Sequence, residues 1–122
     1  YLHAKKKKHF VEKRKGLVNP KNLSREVYQE LIRENPAYGN VICRCETVTE
    51  GEIVEAIHRP IPAKSLDGVK RRTRAGMGRC QAGFCSPKTM EILAREWKVP
   101  METITKAGKD SRLIRGYNKD SL

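Results

Sequence analysis

The four cysteines of this 122-residue chain stand in two short blocks. One residue separates Cys43 from Cys45, four residues separate Cys80 from Cys85, and 34 residues lie between the blocks. Two close pairs of thiols joined by an insert long enough to fold back predict one four-thiolate metal site. A chain with 38% hydrophobic and 33% charged residues builds a thin core, so a metal centre would also contribute folding free energy to this single domain.

Half of the net charge of +12 lies in residues 1–15, which contain seven basic residues and one glutamate. A basic run suits nucleic acid or an anionic surface, but it is more often a solvated segment. Only Tyr1 and Phe10 accompany this run, so we expect no specific nucleic-acid partner and interpret residues 1–21 as a basic connector.

The chain shows no apolar stretch that would span a membrane and no export signal. Both observations favour a cytoplasmic protein, in which cysteines serve as ligands more often than as disulfides. Peripheral association with the inner face of a membrane, through a larger parent protein, stays open.

Residues 22–36 are predicted to form a helix that leads into the domain. Asn22 or Ser24 can cap it, Pro36 ends it, and five apolar residues share one face: Leu23, Val27, Tyr28, Leu31 and Ile32.

The residues around Cys43 and Cys45 read as extended, so both thiols are expected to point the same way. Thr49 and Glu52 fit a capping box that opens the next helix, and Ser65 can cap another. After the second block, we expect Ser86 as the cap of a last helix with Pro87 as its first residue. Its buried stripe is spaced at i, i+3, i+4 and i+7: Met90, Leu93, Ala94 and Trp97.

Spacing alone leaves three interpretations of the cysteines. Structural zinc sites usually use C-x₂₋₄-C pairs, so a C-x-C pair is atypical for zinc, whereas C-x₄-C occurs in iron–sulfur proteins. A disulfide between Cys43 and Cys45 would be strained. An iron–sulfur cluster is therefore favoured over zinc, and both over disulfides or free thiols. His3, His9 and His58 form no grouping with the cysteines that would suit a mixed site.

A four-thiolate cluster carries negative charge and needs N–H dipoles and cations nearby. Both blocks precede predicted helix starts, whose free N–H groups favour anions. The expected cluster environment consists of two arginines beside the ligands and three glycines that admit close backbone approach: Arg44, Arg79, Gly76, Gly78 and Gly83.

Residues 35–53, with Asn-Pro-Ala-Tyr-Gly-Asn-Val-Ile-Cys-Arg-Cys-Glu and Val-Thr-Glu-Gly-Glu-Ile, resemble the first half of a BFD-like [2Fe–2S]-binding domain. Residues 66–85, ending in Gly-Met-Gly-Arg-Cys-Gln-Ala-Gly-Phe-Cys, resemble its second half. The four-residue second spacing is similar to the C-terminal domain of FAD-dependent glycerol-3-phosphate dehydrogenases of the anaerobic type. Ala82 departs from the glycine expected in that motif.

The resemblance implies a small all-α domain around a [2Fe–2S] cluster, with Cys43, Cys45, Cys80 and Cys85 as ligands, over residues 37–115 and with a tail at 116–122. It implies electron transfer from FAD, bound in a preceding N-terminal domain that oxidises glycerol 3-phosphate, to an acceptor subunit. This chain itself would hold no catalytic residue, since it lacks a G-x-G-x-x-G dinucleotide motif. The alternative is a structural or regulatory docking module that holds zinc or a cluster that never cycles. Zinc or an empty site is expected in preparations exposed to air.

Overall fold

The computed structural model describes residues 3, 5, 7–10, 12–13 and 15–119; the rest of the basic run and residues 120–122 of the predicted tail lie outside the described residues. In the described part, four α-helices accompany one two-stranded antiparallel sheet: α1 Arg25–Glu34, β1 Val41–Cys43, β2 Val48–Thr49, α2 Glu50–Ile57, α3 Leu66–Thr73 and α4 Ser86–Trp97. Single turns of 3-10 helix stand at Pro20–Asn22, Pro36–Gly39 and Met101–Thr103. The fold is mainly helical, and because of the small sheet the all-α prediction is met only in part.

Three helices begin where local capping chemistry predicts. The Ser24 hydroxyl accepts from the Val27 N–H at 3.3 Å, and the Ser65 hydroxyl accepts from Gly68 at 3.1 Å. Thr49 and Glu52 form the full capping box, in which the Thr49 N–H donates to the Glu52 carboxylate at 2.7 Å. These caps confirm the predicted starts of α1, α2 and α3.

The start of α4 differs from the prediction by one residue. Cys85 occupies the cap position and makes no side-chain capping bond. The Ser86 hydroxyl instead donates to the Ala82 carbonyl at 2.6 Å, four residues back. The expectation that Ser86 caps the helix is therefore wrong, because that hydroxyl closes the turn that carries Cys85.

The core lies between α2, α3 and α4. Ile53, Ile57, Val69 and Leu93 are at most 1% exposed, and burial of each such side chain contributes about 1.5–3 kcal/mol. On the predicted stripe of α4, Met90 and Leu93 are buried while Ala94 and Trp97 pack against the core from its edge. The periodicity of α4 thus predicted its inward face correctly.

The chain before the sheet is attached to α2 through Tyr38. Its ring lies so close to Gly51 that a Cβ there would stand 2.6 Å from the Tyr38 Cγ. The Tyr38 hydroxyl donates to Glu55 Oε2 at 3.0 Å, and the same carboxylate accepts from the Val18 N–H at 3.3 Å. Burial, followed by the hydrogen bond to Glu55, raises the pKa of Tyr38 to about 12.

Beyond Met101–Thr103 the chain folds back on the domain. Thr105 pairs with Arg112, and Ile114 packs partly against the core. The Tyr117 hydroxyl donates to Glu102 Oε2 at 3.2 Å. The boundaries of the connector, the domain and the tail stay predictions.

Candidate metal centre

All four cysteines line one cavity of about 700 Å³, formed by the loop after β1, the second cysteine block and α4. The structure thus brings together the two blocks that are far apart in sequence. Ten further residues complete the wall: Asn40, Val41, Ile42, Arg44, Glu50, Phe84, Lys88, Glu91, Ile92 and Arg95.

The thiols interact in two pairs, each with one cysteine from each block. Cys43 pairs with Cys85, and Cys45 pairs with Cys80. Cys43 and Cys85 are 1% and 4% exposed and belong to the hydrophobic core; we call them the inner pair. Cys45 is exposed and Cys80 is half-buried; we call them the outer pair. Among the described residues, no three His, Cys, Asp or Glu side chains form a group that could hold a single metal ion.

The two thiols of the first block reach the cavity through a turn. β1 ends at Cys43, its register with β2 is irregular, and Thr47 adopts a left-handed φ of 50°. The direction of the Cys45 side chain is therefore not set by the alternation of a strand, contrary to the expectation from the sequence. The turn after β1 leaves Cys43 in the core and brings Cys45 to the surface.

The second block wraps its backbone around the Cys80 sulfur. The backbone N–H groups of Phe84 and Ala82 interact with this sulfur, and the Gly83 N–H donates to the Cys80 carbonyl at 3.0 Å. The Phe84 N–H has the largest effect in lowering the pKa of Cys80, and the hydrogen bond with Cys45 is next. A sulfur that accepts several N–H groups is stabilised as a thiolate, the form that binds metals.

Two glycines keep the loop before Cys80 close to the ligands. A Cβ on Gly78 would stand 2.2 Å from the Cys45 Cβ, so the two blocks could not approach as they do. Gly76 has a φ of +87°, and a Cβ on it would stand 3.1 Å from the Ala82 Cβ. Ala82 itself has a φ of 71°, which costs a non-glycine residue about 1–2 kcal/mol. The departure at Ala82 therefore adds backbone strain and a methyl group beside Gly76.

The inner pair is chemically different from the outer pair. Burial is the main cause that raises the pKa of Cys85. The charge of Cys43 and the hydrogen bond with Cys43 raise it further, to about 11. A thiol of this kind keeps its proton at neutral pH unless a metal replaces it, because the cation stabilises the thiolate. The four-sulfur donor set, the N–H groups on Cys80 and the glycine contact at Cys45 together fit a thiolate-bound iron–sulfur group.

The charged residues around the cavity divide into paired and unpaired ones. Arg44 and Arg79, expected beside the ligands, are exposed and have no hydrogen bond or ion pair to another described residue. Arg44 lines the cavity. Lys88 pairs with Glu91 at 2.8 Å, and Arg95 pairs with Glu50 at 2.7 Å.

Sequence reasoning missed the wall that α4 contributes. Cys85, Lys88, Ile92 and Arg95 follow helical spacing along one face, and that periodicity could have revealed them. It also gave no role to Phe84, which is 88% exposed between two cysteines. His58 is the C-cap of α2, and its Nε2 lies 2.6 Å from the Glu96 carboxylate, away from the cysteines.

The structure is thus a small, mainly helical domain in which four cysteines from two blocks line one cavity. Residues 41–95, a little under half of the chain, match the family described as BFD-like [2Fe-2S] binding domain. The match includes all four cysteines and most of the cavity wall.

The chain is also similar to parts of larger oxidoreductases. It is 48% identical over 117 residues to a glycerol 3-phosphate dehydrogenase of Caloramator mitchellensis, covering 96% of this chain and 24% of that protein. It is 36% identical over 64 residues to one subunit of the anaerobic glycerol-3-phosphate dehydrogenase of Escherichia coli (52% of this chain, 12% of that protein). It is 42% identical over 59 residues to one subunit of the opine oxidase of Rhizobium meliloti (48% and 11%).

The chain therefore spans about a quarter of the first relative and about an eighth or less of the others. No solved structure matches the chain. In the described part, no helix is long and apolar enough to cross a membrane.

Proposed function

We propose that this chain is an iron–sulfur electron-transfer module of an FAD-dependent glycerol-3-phosphate dehydrogenase, with a [2Fe–2S] cluster on Cys43, Cys45, Cys80 and Cys85. The observation that carries this proposal is the meeting of the four thiols as two pairs in one cavity. A two-iron cluster needs two thiolates for each iron, whereas structural zinc needs four donors around one point. When bound, the cluster takes up and releases one electron at a time.

The residues of the chain tune and protect that site. The N–H groups that surround Cys80 stabilise its thiolate, and the core around Cys43 and Cys85 keeps water from the inner side. Arg44 and Phe84 line the cavity, and Arg79 is exposed directly before Cys80. Two arginines without an ion pair in the described part of the chain, together with an exposed aromatic ring, suit a redox partner with an apolar patch bordered by carboxylates. We assign this partner to the flavin-bearing part of the parent enzyme.

The test is spectroscopic. The chain, purified without oxygen and reconstituted with iron and sulfide, should show the visible absorption of a [2Fe–2S] cluster and an EPR signal after one-electron reduction. Serine variants at each of the four cysteines should lose both signals, whereas the exposed control Ala107→Ser should keep them. A wild-type chain without either signal would exclude the cluster.

A structural docking module is the second candidate, because the inner pair is part of the hydrophobic core. In that case the metal stabilises the fold and its redox state has no role. The parent enzyme loaded with zinc discriminates between the two: full electron transfer to the acceptor would support the structural role, and loss of transfer with an intact fold would support the relay. Co-sedimentation of the same preparations with membranes tests the peripheral association expected through the parent.

A further inference from the structure

Glu46 connects three segments of the chain at the outer pair. It directly follows Cys45, and its carboxylate accepts from the Arg74 Nε at 2.8 Å. The Lys21 ammonium, from the turn Pro20–Asn22, donates to the Glu46 backbone carbonyl. The residue beside one cysteine is therefore held by a side chain from the connector and by one from the end of α3.

Arg74 stands where the chain leaves α3 for the second cysteine block. Its N–H donates to the Lys70 carbonyl at 2.9 Å, and its own carbonyl accepts from the Met77 N–H at 2.9 Å. From there the chain runs to Gly78, whose Cα lies against the Cys45 side chain, and then to Cys80. The Glu46–Arg74 pair thus joins the two loops that carry the outer pair, close to their point of contact.

The backbone at Arg74 indicates that its side chain has a use. Arg74 has a φ of 71°, a left-handed helix cap at which glycine is the usual residue. A non-glycine residue there costs more free energy than a surface ion pair commonly returns. An arginine at this position therefore adds little to the stability of the whole domain. The role of its side chain is to hold Glu46 in position.

We propose that Glu46 is a positioning residue for the outer pair, and that its ion pair with Arg74 holds the Cys45 loop and the Cys80 loop in register. This inference rests on the proposed function in one respect, namely that the outer pair binds the cluster. Lys21 holds the Cys45 loop through the Glu46 carbonyl, so the connector also contributes to the site.

The first measurement is the rate at which the cluster absorbance disappears when an iron chelator is added without oxygen. Glu46→Gln and Arg74→Gly should each accelerate the loss roughly two- to fivefold, as expected for one surface ion pair. The double variant should be no faster than either single variant, because both remove the same pair. Arg74→Lys should retain part of the wild-type rate. Glu30→Gln, which breaks the exposed pair of Glu30 with Arg33 at 3.0 Å, is the matched control and should change nothing.

The second measurement separates positioning from stability. Arg74→Gly relieves the left-handed strain, so its denaturant midpoint should equal or exceed that of the wild type while its cluster is lost faster. Parallel loss of midpoint and cluster would assign a merely structural role and overturn the proposal. Equal further acceleration by Glu46→Gln in the Arg74→Gly background would overturn it as well.

The third measurement does not depend on the cluster. Amide hydrogen exchange of residues 43–48 and 74–80 in the chain as purified should be faster in Glu46→Gln and Arg74→Gly, with Glu30→Gln unchanged. Unchanged exchange in both segments would overturn the positioning role. If the wild type lacks cluster absorbance, the proposed function fails, while the exchange rates still decide whether the pair holds the two loops together.

Discussion

The inner and outer cysteine pairs are fixed by different parts of the molecule. Cys43 and Cys85 lie in the core with Ile53, Val69 and Leu93, so packing of the helices sets their positions. Cys45 and Cys80 lie near the surface and depend on loop features: the contact at Gly78, the N–H groups around Cys80 and the Glu46–Arg74 pair. One half of the site is thus a product of folding, and the other half is a product of loop geometry.

The strongest test of this contrast compares serine at an inner and at an outer position. Cys85→Ser places a hydroxyl in the core, which costs about 1–3 kcal/mol, whereas Cys45→Ser changes an exposed side chain. Because both variants should lose the cluster, the difference between their free energies of unfolding reports packing alone. Denaturant titration should show Cys85→Ser to be less stable by that amount, and equal stabilities would contradict the assignment of the inner pair to the core.

Gly78→Ala tests the outer pair. The added methyl would stand 2.2 Å from the Cys45 Cβ, so the loops must separate, at a cost of about 1–3 kcal/mol. We expect lower cluster occupancy, measured as absorbance per chain, together with faster amide exchange in both loops. Gly116→Ala is the matched control, since no atom of the described residues beyond its two chain neighbours lies within 4 Å of a Cβ there. Normal occupancy in Gly78→Ala would show that the outer loops tolerate more separation than the contact suggests.

A pH titration tests the packing of Tyr38 against α2, at a site away from the cysteines. The folded state holds the pKa of Tyr38 near 12, while in the unfolded chain it is about 10, so the unfolded state loses this proton first. The contribution of Tyr38 is therefore complete below pH 10 and is lost as the pH rises towards 12. The stability lost between pH 9 and 11 is on the order of 1 kcal/mol.

Lysines titrate in the same range, so the comparison is between the wild type and Tyr38→Phe. The variant should lose stability less steeply above pH 10 in denaturant titrations at fixed pH values. Identical pH profiles would show that Tyr38 ionises as easily in the folded state as in the unfolded one.

Phe84→Ala should have the smallest effect on stability and a clear effect on electron exchange. A side chain that is 88% exposed contributes little to folding, so the free energy of unfolding should change by no more than about 0.5 kcal/mol. Reduction of the cluster by a reduced flavodoxin should slow roughly fivefold through loss of one interface anchor, while reduction by dithionite should not change. Ile61→Ala, at a side chain 72% exposed elsewhere, is the control. Equal slowing with both reductants would place the effect in the cluster itself.

Local chemistry made much of the fold predictable. Ser24, Ser65 and the Thr49–Glu52 box start their helices because a side chain near the first turn satisfies a free N–H group, and this needs no knowledge of the rest of the chain. The burial of Leu93 followed from helical periodicity in the same way. Val27 shows the limit of that argument: it shares the apolar face of α1 but is 53% exposed, because α1 packs mainly on the turn Pro36–Gly39.

The convergence of the two cysteine blocks was predictable from spacing, but the way in which they pair was not. Pairing across the blocks depends on contacts between distant segments, such as Gly78 with Cys45, which no local pattern encodes. The loops also adopt left-handed backbone conformations at Thr47, Gln81 and Ala82. Glycines at these positions would have indicated such turns in the sequence, but these residues do not. The family resemblance supplied the candidate ligands, and the structure added which of them lie deep and which lie near solvent.

The cross-block pairing has a consequence for how the protein matures. An unfolded or half-synthesised chain offers only isolated fragments of the site, because each cysteine needs a partner about forty positions away in the sequence. Iron and sulfide delivered at that stage would find no complete receptor. All four thiols are available to one cofactor only after the two blocks have come together, so cofactor binding and the approach of the blocks stabilise each other.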